Sequence, residues 1–211
     1  MNAKRDPFDT HHERYESWFT HHPAAYQSEL SAVRALLPGK GRGLEIGVGT
    51  GRFAGPLGIK IGIDPSKTML GYTIPLGILG VQGIAEALPF KNATFDFALV
   101  VTTICFVDDP KAMLLEARRV LKPGGLLLIG FVDRDSALGR YYVEHKEENV
   151  FYRGAIFYSA SEVETLLTDE GFGRQTWVQT LSKPLNEIQE IEPFHAGRGR
   201  CGFVVVSAAE S

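Results

Sequence analysis

Apolar positions repeat along this chain in two rhythms. In "PAAYQSELSAVRALLPG", Tyr26, Leu30, Val33 and Leu37 fall on one helical stripe, which predicts a helix from Pro23 that stops at Pro38 and Gly39. Five short apolar runs follow, "GLEI", "IKIGI", "GILGV", "FDFALVV" and "GGLLLIGFV", each trailed by a turn or a helical pattern. Runs of this length without polar alternation suit strands buried on both faces, and their alternation with helices implies a parallel sheet sandwiched between helical layers. In "DDPKAMLLEARRVLKPGG", Asp109 caps a helix, Pro110 takes its first position, Leu114, Ala117 and Leu121 form its stripe, and Pro123-Gly124-Gly125 ends it. A later helix begins in "SASEVETLLTDEGF", with Ser161 and Glu164 at capping-box spacing and Gly171 as the stop. The last two apolar runs, "RQTWVQTL" and "CGFVVVSA", have no helical pattern between them and are expected to pair at the sheet edge.

Length and charge narrow the picture. The 211 residues suffice for one core, no linker composition divides them, and a single domain over 1–211 is expected. A net charge of -3 provides no broad basic surface, so nucleic acid is a poor partner. The N-terminal stretch is charged where a signal peptide would be apolar, and no run reaches the length of a membrane span; a cytoplasmic protein with no membrane association is expected. Cys105 and Cys201, each inside an apolar run, read as buried free thiols.

The first strand leads into "LEIGVGTGRF", with Gly47, Gly49 and Gly51 directly behind Glu45. A dinucleotide-binding turn would read G-x-G-x-x-G, and the spacing here, G-x-G-x-G followed by Arg52, does not match. A carboxylate at the strand tip repels a diphosphate and attracts an ammonium group. The second strand ends in Asp64, nineteen residues beyond Glu45, near the position where nucleoside-binding folds place an acid on ribose hydroxyls. Asp64-Pro65-Ser66 also starts a helix well, so a capping role competes for Asp64. That helix is expected to be short, ending near Thr73, because Gly71 and Pro75 interrupt it. Ile74 and Leu76 then form an apolar patch that is either repacked locally or meets another copy of the chain in a homo-oligomer.

Together "LEIGVGTGRF", "GIDPSKTML", "GIAEALPFKNATFDFALVVTTICFVDDP" and "RRVLKPGGLLLIGF" resemble the class I S-adenosylmethionine-dependent methyltransferases, within them the small-molecule type related to quinone-biosynthesis enzymes, over roughly residues 15–206. The resemblance implies a three-layer Rossmann-like sandwich: a mostly parallel seven-stranded sheet, helices on both faces and an antiparallel strand at one edge. It implies methyl transfer from S-adenosylmethionine to a small-molecule acceptor, with S-adenosylhomocysteine as product. By the same resemblance Glu45, Gly47, Gly49 and Gly51 surround the methionine moiety, Asp64 with Pro65 meets the ribose, Ala85 and Glu86 flank the adenine, and Thr102 and Thr103 line the pocket near the reactive methyl. Ile84 departs from the family, which often has a polar residue there to accept from the adenine amino group. Two other readings stand beside this one: a catalytically silent S-adenosylmethionine-binding regulatory protein of the same fold, and a nicotinamide-dependent oxidoreductase, which the glycine spacing disfavours.

An activated methyl group leaves the protein mainly the tasks of aligning the acceptor and excluding water, so a catalytic base is optional. Weak candidates for one are His145, Asp133 and Tyr15. Two segments are expected to cover the site: an N-terminal helical cover over 8–38, in which Tyr15, Trp18 and Phe19 match a family aromatic element, and a lid-like insertion over 133–158, rich in Tyr and Phe. The pairs His11-His12 and His21-His22 lack the i, i+4 arrangement of helical metal ligands, and no metal site is expected.

Overall fold

The computed structural model describes residues 6–210. Three helices lead the chain: α1 (Asp6–Thr10), α2 (His12–His21) and α3 (Pro23–Leu36). Strands and helices then alternate as β1 (Gly43–Ile46), α4 (Ala54–Leu57), β2 (Ile61–Asp64), α5 (Lys67–Gly71), β3 (Leu79–Gln82), β4 (Phe95–Val101), α6 (Pro110–Val120) and β5 (Leu121–Val132). The remainder is α7 (Ala137–Glu144), α8 (Ala160–Asp169), β6 (Arg174–Thr180), β7 (His195–Ala196) and β8 (Phe203–Ala209).

The strands form one sheet in the order β3-β2-β1-β4-β5-β8-β6-β7. β1 to β5 run parallel, and β8 inserts antiparallel between β5 and β6, with Ile129 opposite Val206 and Trp177 opposite Val206 on its other side. The seven expected strands are all present, and the last two do pair. The two-residue β7 adds an eighth strand on the outside of β6.

Alternation along β4 explains the three layers. Ala98 and Val100 face a core with Met113, Leu114 and Ala117 of α6 and Val163 and Leu167 of α8. Phe97, Leu99 and Val101 face the opposite core with Leu30 and Val33 of α3 and Phe19 of α2. A strand buried on both faces has no polar side to show, which is why "FDFALVV" reads as a continuous apolar run.

Local signals were used with three shifts. The capping box of α8 is Ser159 with Glu162, where Ser159 accepts from the Glu162 N–H and Glu162 accepts from the Ser159 N–H at 2.8 Å; Ser161 and Glu164, which have the same spacing, instead bind Arg198. Starting two residues earlier buries Ala160, Val163 and Leu167 together. α6 starts as expected, with Asp109 accepting from the N–H groups of Lys111 and Ala112, but it stops at Val120, and Leu121 is already paired with Phe95 before the Pro123-Gly124-Gly125 turn. α5 ends at Gly71 and a 3-10 turn over Ile74–Leu76 follows, as the glycine and proline require. Its cap is Ser66, which accepts from the Met69 N–H; Asp64 is left for other partners. At the apolar patch, Leu76 packs beside Gly51 and Gly55 while Ile74 stays 75 % exposed.

Candidate functional site

Two cavities open at the carboxyl ends of the parallel strands, the end at which such sheets collect ligands. The first, of about 800 Å³, is lined by the glycine loop after β1, the tip of β2, residues 83–86 after β3, and residues 101–107 after β4. The second, of about 1300 Å³, is walled by aromatic side chains from α2, the β4–α6 connection and segment 133–158. Phe8, Tyr15, Thr102 and Phe106 border both, so the two are neighbours across a shared wall.

The backbone of the glycine loop is committed to the protein itself. The N–H groups of Gly47 and Val48 donate to the Ile63 carbonyl at 2.8 and 3.0 Å, Gly51 donates to Val48, and the Gly49 N–H donates to Asp64 Oδ2 at 2.9 Å. A loop whose donors are spent this way is no phosphate cradle. Two glycines are demanded by their surroundings. Gly47 has φ +75°, and a Cβ there would lie 2.2 Å from Thr103 Oγ1; Gly51 has φ +84°, and its Cβ would meet Leu76 and Ile78.

Beneath the loop lies Glu45, 2 % exposed at the end of β1. Ala54 donates a backbone hydrogen bond to its carboxylate, yet Oε2 has no partner among the described residues. Burial, with a smaller push from Asp64, holds this carboxyl well above the usual range, as expected of an acid that lacks a cation. Asp64 also accepts from the Ser66 N–H at 2.9 Å, so it ties the loop to the start of α5. Glu86 receives the Asp108 N–H at 2.7 Å, which fixes it against the segment entering α6. Thr102 sits at φ +49°, an unusual conformation for a β-branched residue, at the junction of the two cavities. Thr103 turns its hydroxyl to the Val101 carbonyl at 3.0 Å.

Of the residues singled out from sequence, Tyr15, Gly47, Gly49, Asp64, Pro65, Ala85, Glu86, Thr102 and Thr103 all line the first cavity, and so does Ile84. Glu45 and Gly51 lie behind its wall: the one is a buried charge, the other a packing position. Two candidate bases are not brought to either cavity. The His145 ring stacks on Tyr141 with its Nδ1 at 2.9 Å from the Tyr141 carbonyl, facing outward. Asp133 is buried, with Oδ1 accepting from the N–H groups of Asp135 and Ala160 at 3.1 Å, so it anchors the chain between β5 and α8. Cys105, expected to be buried, is half-exposed on the wall of the second cavity, while Cys201 is buried.

The cover helices are fastened to the walls of the first cavity and the adjoining glycine loop at three points. Asp9 receives the Ser66 hydroxyl at 2.5 Å, His12 Nδ1 lies 2.7 Å from the Tyr72 hydroxyl, and Glu16 pairs with Arg52, whose guanidinium lies over the Phe19 ring. Sequence reasoning missed Phe8, Ser66, Met69 and Phe106 on the first cavity, and Glu29 on the second. Glu29 had a signal: it lies three residues after Tyr26 and four before Val33, inside the apolar stripe of α3.

Residues 44–129 match the methyltransferase domain family. A crystal structure from Thermotoga maritima, described as an S-adenosylmethionine-dependent methyltransferase and possible histamine N-methyltransferase, is 51 % identical, covers 97 % of this chain and 98 % of its own, and superposes with a TM-score of 0.94. An uncharacterized protein of Methanocaldococcus jannaschii is 46 % identical over 95 % of this chain and 97 % of its own length. A ubiquinone/menaquinone biosynthesis C-methyltransferase of Syntrophotalea carbinolica is 37 % identical over 47 % of this chain and 48 % of its own length. The chain belongs to the S-adenosylmethionine-dependent methyltransferases. Its cofactor is S-adenosylmethionine. Among the described residues no helix is long and apolar enough to cross a membrane.

Proposed function

We propose that this methyltransferase acts in the cytoplasm on a small-molecule acceptor held in the aromatic cavity, releasing S-adenosylhomocysteine. The observation that carries the reading is the pair of neighbouring cavities sharing Tyr15, Thr102, Phe8 and Phe106 as their common border. The residues present fit the cofactor. The side-chain-free cradle of Gly47 and Gly49 suits an ammonium-bearing methionine moiety, with the buried Glu45 carboxyl as an acid behind that wall and Gly51 shaping the loop. Asp64, with Pro65 beside it, suits the ribose hydroxyls, and Ala85 with Glu86 suits the adenine edge, where Ile84 offers no acceptor. Thr102 and Thr103 suit the neighbourhood of the sulfonium.

When bound, S-adenosylmethionine supplies an already activated methyl group. The chain's own residues have two tasks. Tyr15, Phe8 and Phe106 exclude water at the border, and the strained turn at Thr102 fixes the geometry through which the acceptor meets the methyl. Tyr15 is a poor base: burial, with Glu45 and Asp64 nearby, pushes its hydroxyl far above the ordinary range, so it stays a neutral phenol.

The substitution Asp64→Ala tests the cofactor half of this reading. It should weaken S-adenosylhomocysteine binding by about 1–3 kcal/mol in calorimetry, the value of a hydrogen bond to a charged group. Unchanged affinity would remove Asp64 from the site.

A further inference from the structure

Among the described residues, one acid lines the aromatic cavity. Glu29, in the middle of α3, is 5 % exposed, lines the cavity, and makes no hydrogen bond or ion pair among the described residues. Carboxylates are almost never this buried without a partner, because removal from water penalises their charged form heavily. Its surroundings would not repay that penalty by packing. The walls of the cavity it shares carry π faces: Tyr142 and Tyr152 have ring centroids 4.9 Å apart, Tyr152 and Phe157 meet edge to face at 5.5 Å, and Trp18 comes in from α2. Tyr15, Tyr142 and Tyr152 line the same cavity as Glu29. Of the other titratable groups lining the cavity, Arg14, His21 and His22 lie on or just after α2, and Cys105 and Tyr158 come from the β4–α6 connection and the segment before α8; none of the five hydrogen-bonds to Glu29.

A carboxylate surrounded by aromatic faces is the arrangement that recognises an organic cation, through one charge-assisted hydrogen bond and several cation–π contacts. Such an arrangement penalises anions and gives neutral alcohols only part of the interaction. We propose that the cavity takes a small amine in its protonated form, with an apolar or aromatic body against the rings and its ammonium on Glu29. This inference rests on the cavity being the acceptor site, and it assigns Glu29 as the residue that selects the acceptor.

Burial alone pushes the Glu29 carboxyl up to about 8, so the protein waiting for its acceptor holds it protonated at neutral pH. An arriving ammonium ion would restore the carboxylate: the Glu29 O–H bond breaks, the proton leaves to solvent, and the amine keeps its own.

The test uses the full chain saturated with S-adenosylhomocysteine and three probes of one shape: 2-phenylethylamine, 2-phenylethanol and phenylacetate. Calorimetry at pH 6.5 should find the amine about tenfold or more tighter than the alcohol, with phenylacetate weakest. Repeating the amine titration in buffers of different ionisation enthalpy should show close to one proton released per amine bound. Glu29→Gln should abolish the proton release and the preference for amine over alcohol while keeping both alcohol and S-adenosylhomocysteine affinity; Glu29→Asp should recover part of the preference. Equal affinity for amine and alcohol in the wild type, or a preference that survives Glu29→Gln, would overturn the proposal. Loss of S-adenosylhomocysteine binding by wild-type protein would instead strike at the cofactor site, so the two failures are separable.

Discussion

The two cavities are built from different materials. The cofactor cleft is made of backbone and small side chains at strand tips: Gly47 and Gly49 with positive φ, Asp64 holding the Gly49 N–H, and Thr102 in a left-handed turn. The aromatic cavity is made of side chains that meet only because α2, α3 and segment 133–158 converge over the sheet. A site made of backbone tolerates almost no added atoms, since its shape is the path of the chain. A site made of rings can exchange one wall for another and keep its depth. On the proposed reading, the first would fix which cofactor is used, and the second is where specificity for the acceptor would be free to vary.

The largest effect should come from breaking the backbone site. Gly47→Ala adds a Cβ that would lie 2.2 Å from Thr103 Oγ1 and 2.4 Å from its Cγ2, at a φ that alanine rarely adopts. Left-handed strain and overpacking together should destabilise the protein by about 2–5 kcal/mol and abolish S-adenosylhomocysteine binding. Calorimetry and chemical denaturation would measure both. If the clash is the reason, removing both clashing atoms in Gly47→Ala/Thr103→Ala should recover part of the stability. A Gly47→Ala variant that binds normally would show that the cleft is less committed than its backbone suggests.

That contrast also sets what could be read in advance. Glycine spacing, Asp64 and the turn after β4 were legible because a strand tip imposes local demands that residue type alone reveals. The aromatic cavity was legible only as two rough segments, 8–38 and 133–158, since convergence in space leaves no spacing in sequence. Glu29 shows the difficulty most clearly. A glutamate in a helix usually faces water, so the apolar stripe reads as Tyr26, Leu30 and Val33 alone, although Glu29 shares it and is buried with Ser28 and Leu30. His145 shows the converse: an aromatic-rich segment suggested an inward histidine, but that ring lies on Tyr141 and Tyr142 is the residue turned toward the cavity. The capping box was ambiguous by two residues because "SASEVE" contains the pattern twice, and only burial of Val163 and Leu167 chose between them.

A second prediction separates the cavities by pH. The Glu29 carboxyl rises from its ordinary 4.5 to about 8 on folding. The folded state therefore binds more protons than the unfolded one between those values, and the stability this group contributes is full in acid and lost as pH rises toward 8. From this group alone the wild type should lose about 1.4 kcal/mol per pH unit across that window. Glu29→Gln removes that slope, so the variant should be more stable than wild type at pH 8 by a few kcal/mol, although its selection of amines is gone. Denaturant titrations at pH 5, 6.5 and 8 would measure it. Glu45, whose carboxyl is also raised by burial, is present in both proteins and cancels in the comparison. Parallel pH profiles for the two proteins would mean that Glu29 is wetter than its burial indicates.

The smallest effect should be at the fastening between the two sites. Glu16 and Arg52 join α2 to the glycine loop, but their side chains are 20 % and 38 % exposed, so solvent screens the pair. Exposed pairs contribute about 0.2–1 kcal/mol. Arg52 also keeps its contact over the Phe19 ring, 5.0 Å from the centroid, when the carboxylate is removed. The cover over the aromatic cavity is then held chiefly by a cluster of partly buried rings around the buried Phe19, with Phe8 against Tyr15, Phe106 and Phe151, and Phe19 against Tyr15, Trp18 and Tyr26. Glu16→Gln should accordingly lower the thermal midpoint by no more than about 3 °C and weaken S-adenosylhomocysteine by less than about fivefold. A tenfold loss of cofactor affinity would mean that the ion pair, and not the ring cluster, sets the position of the cover.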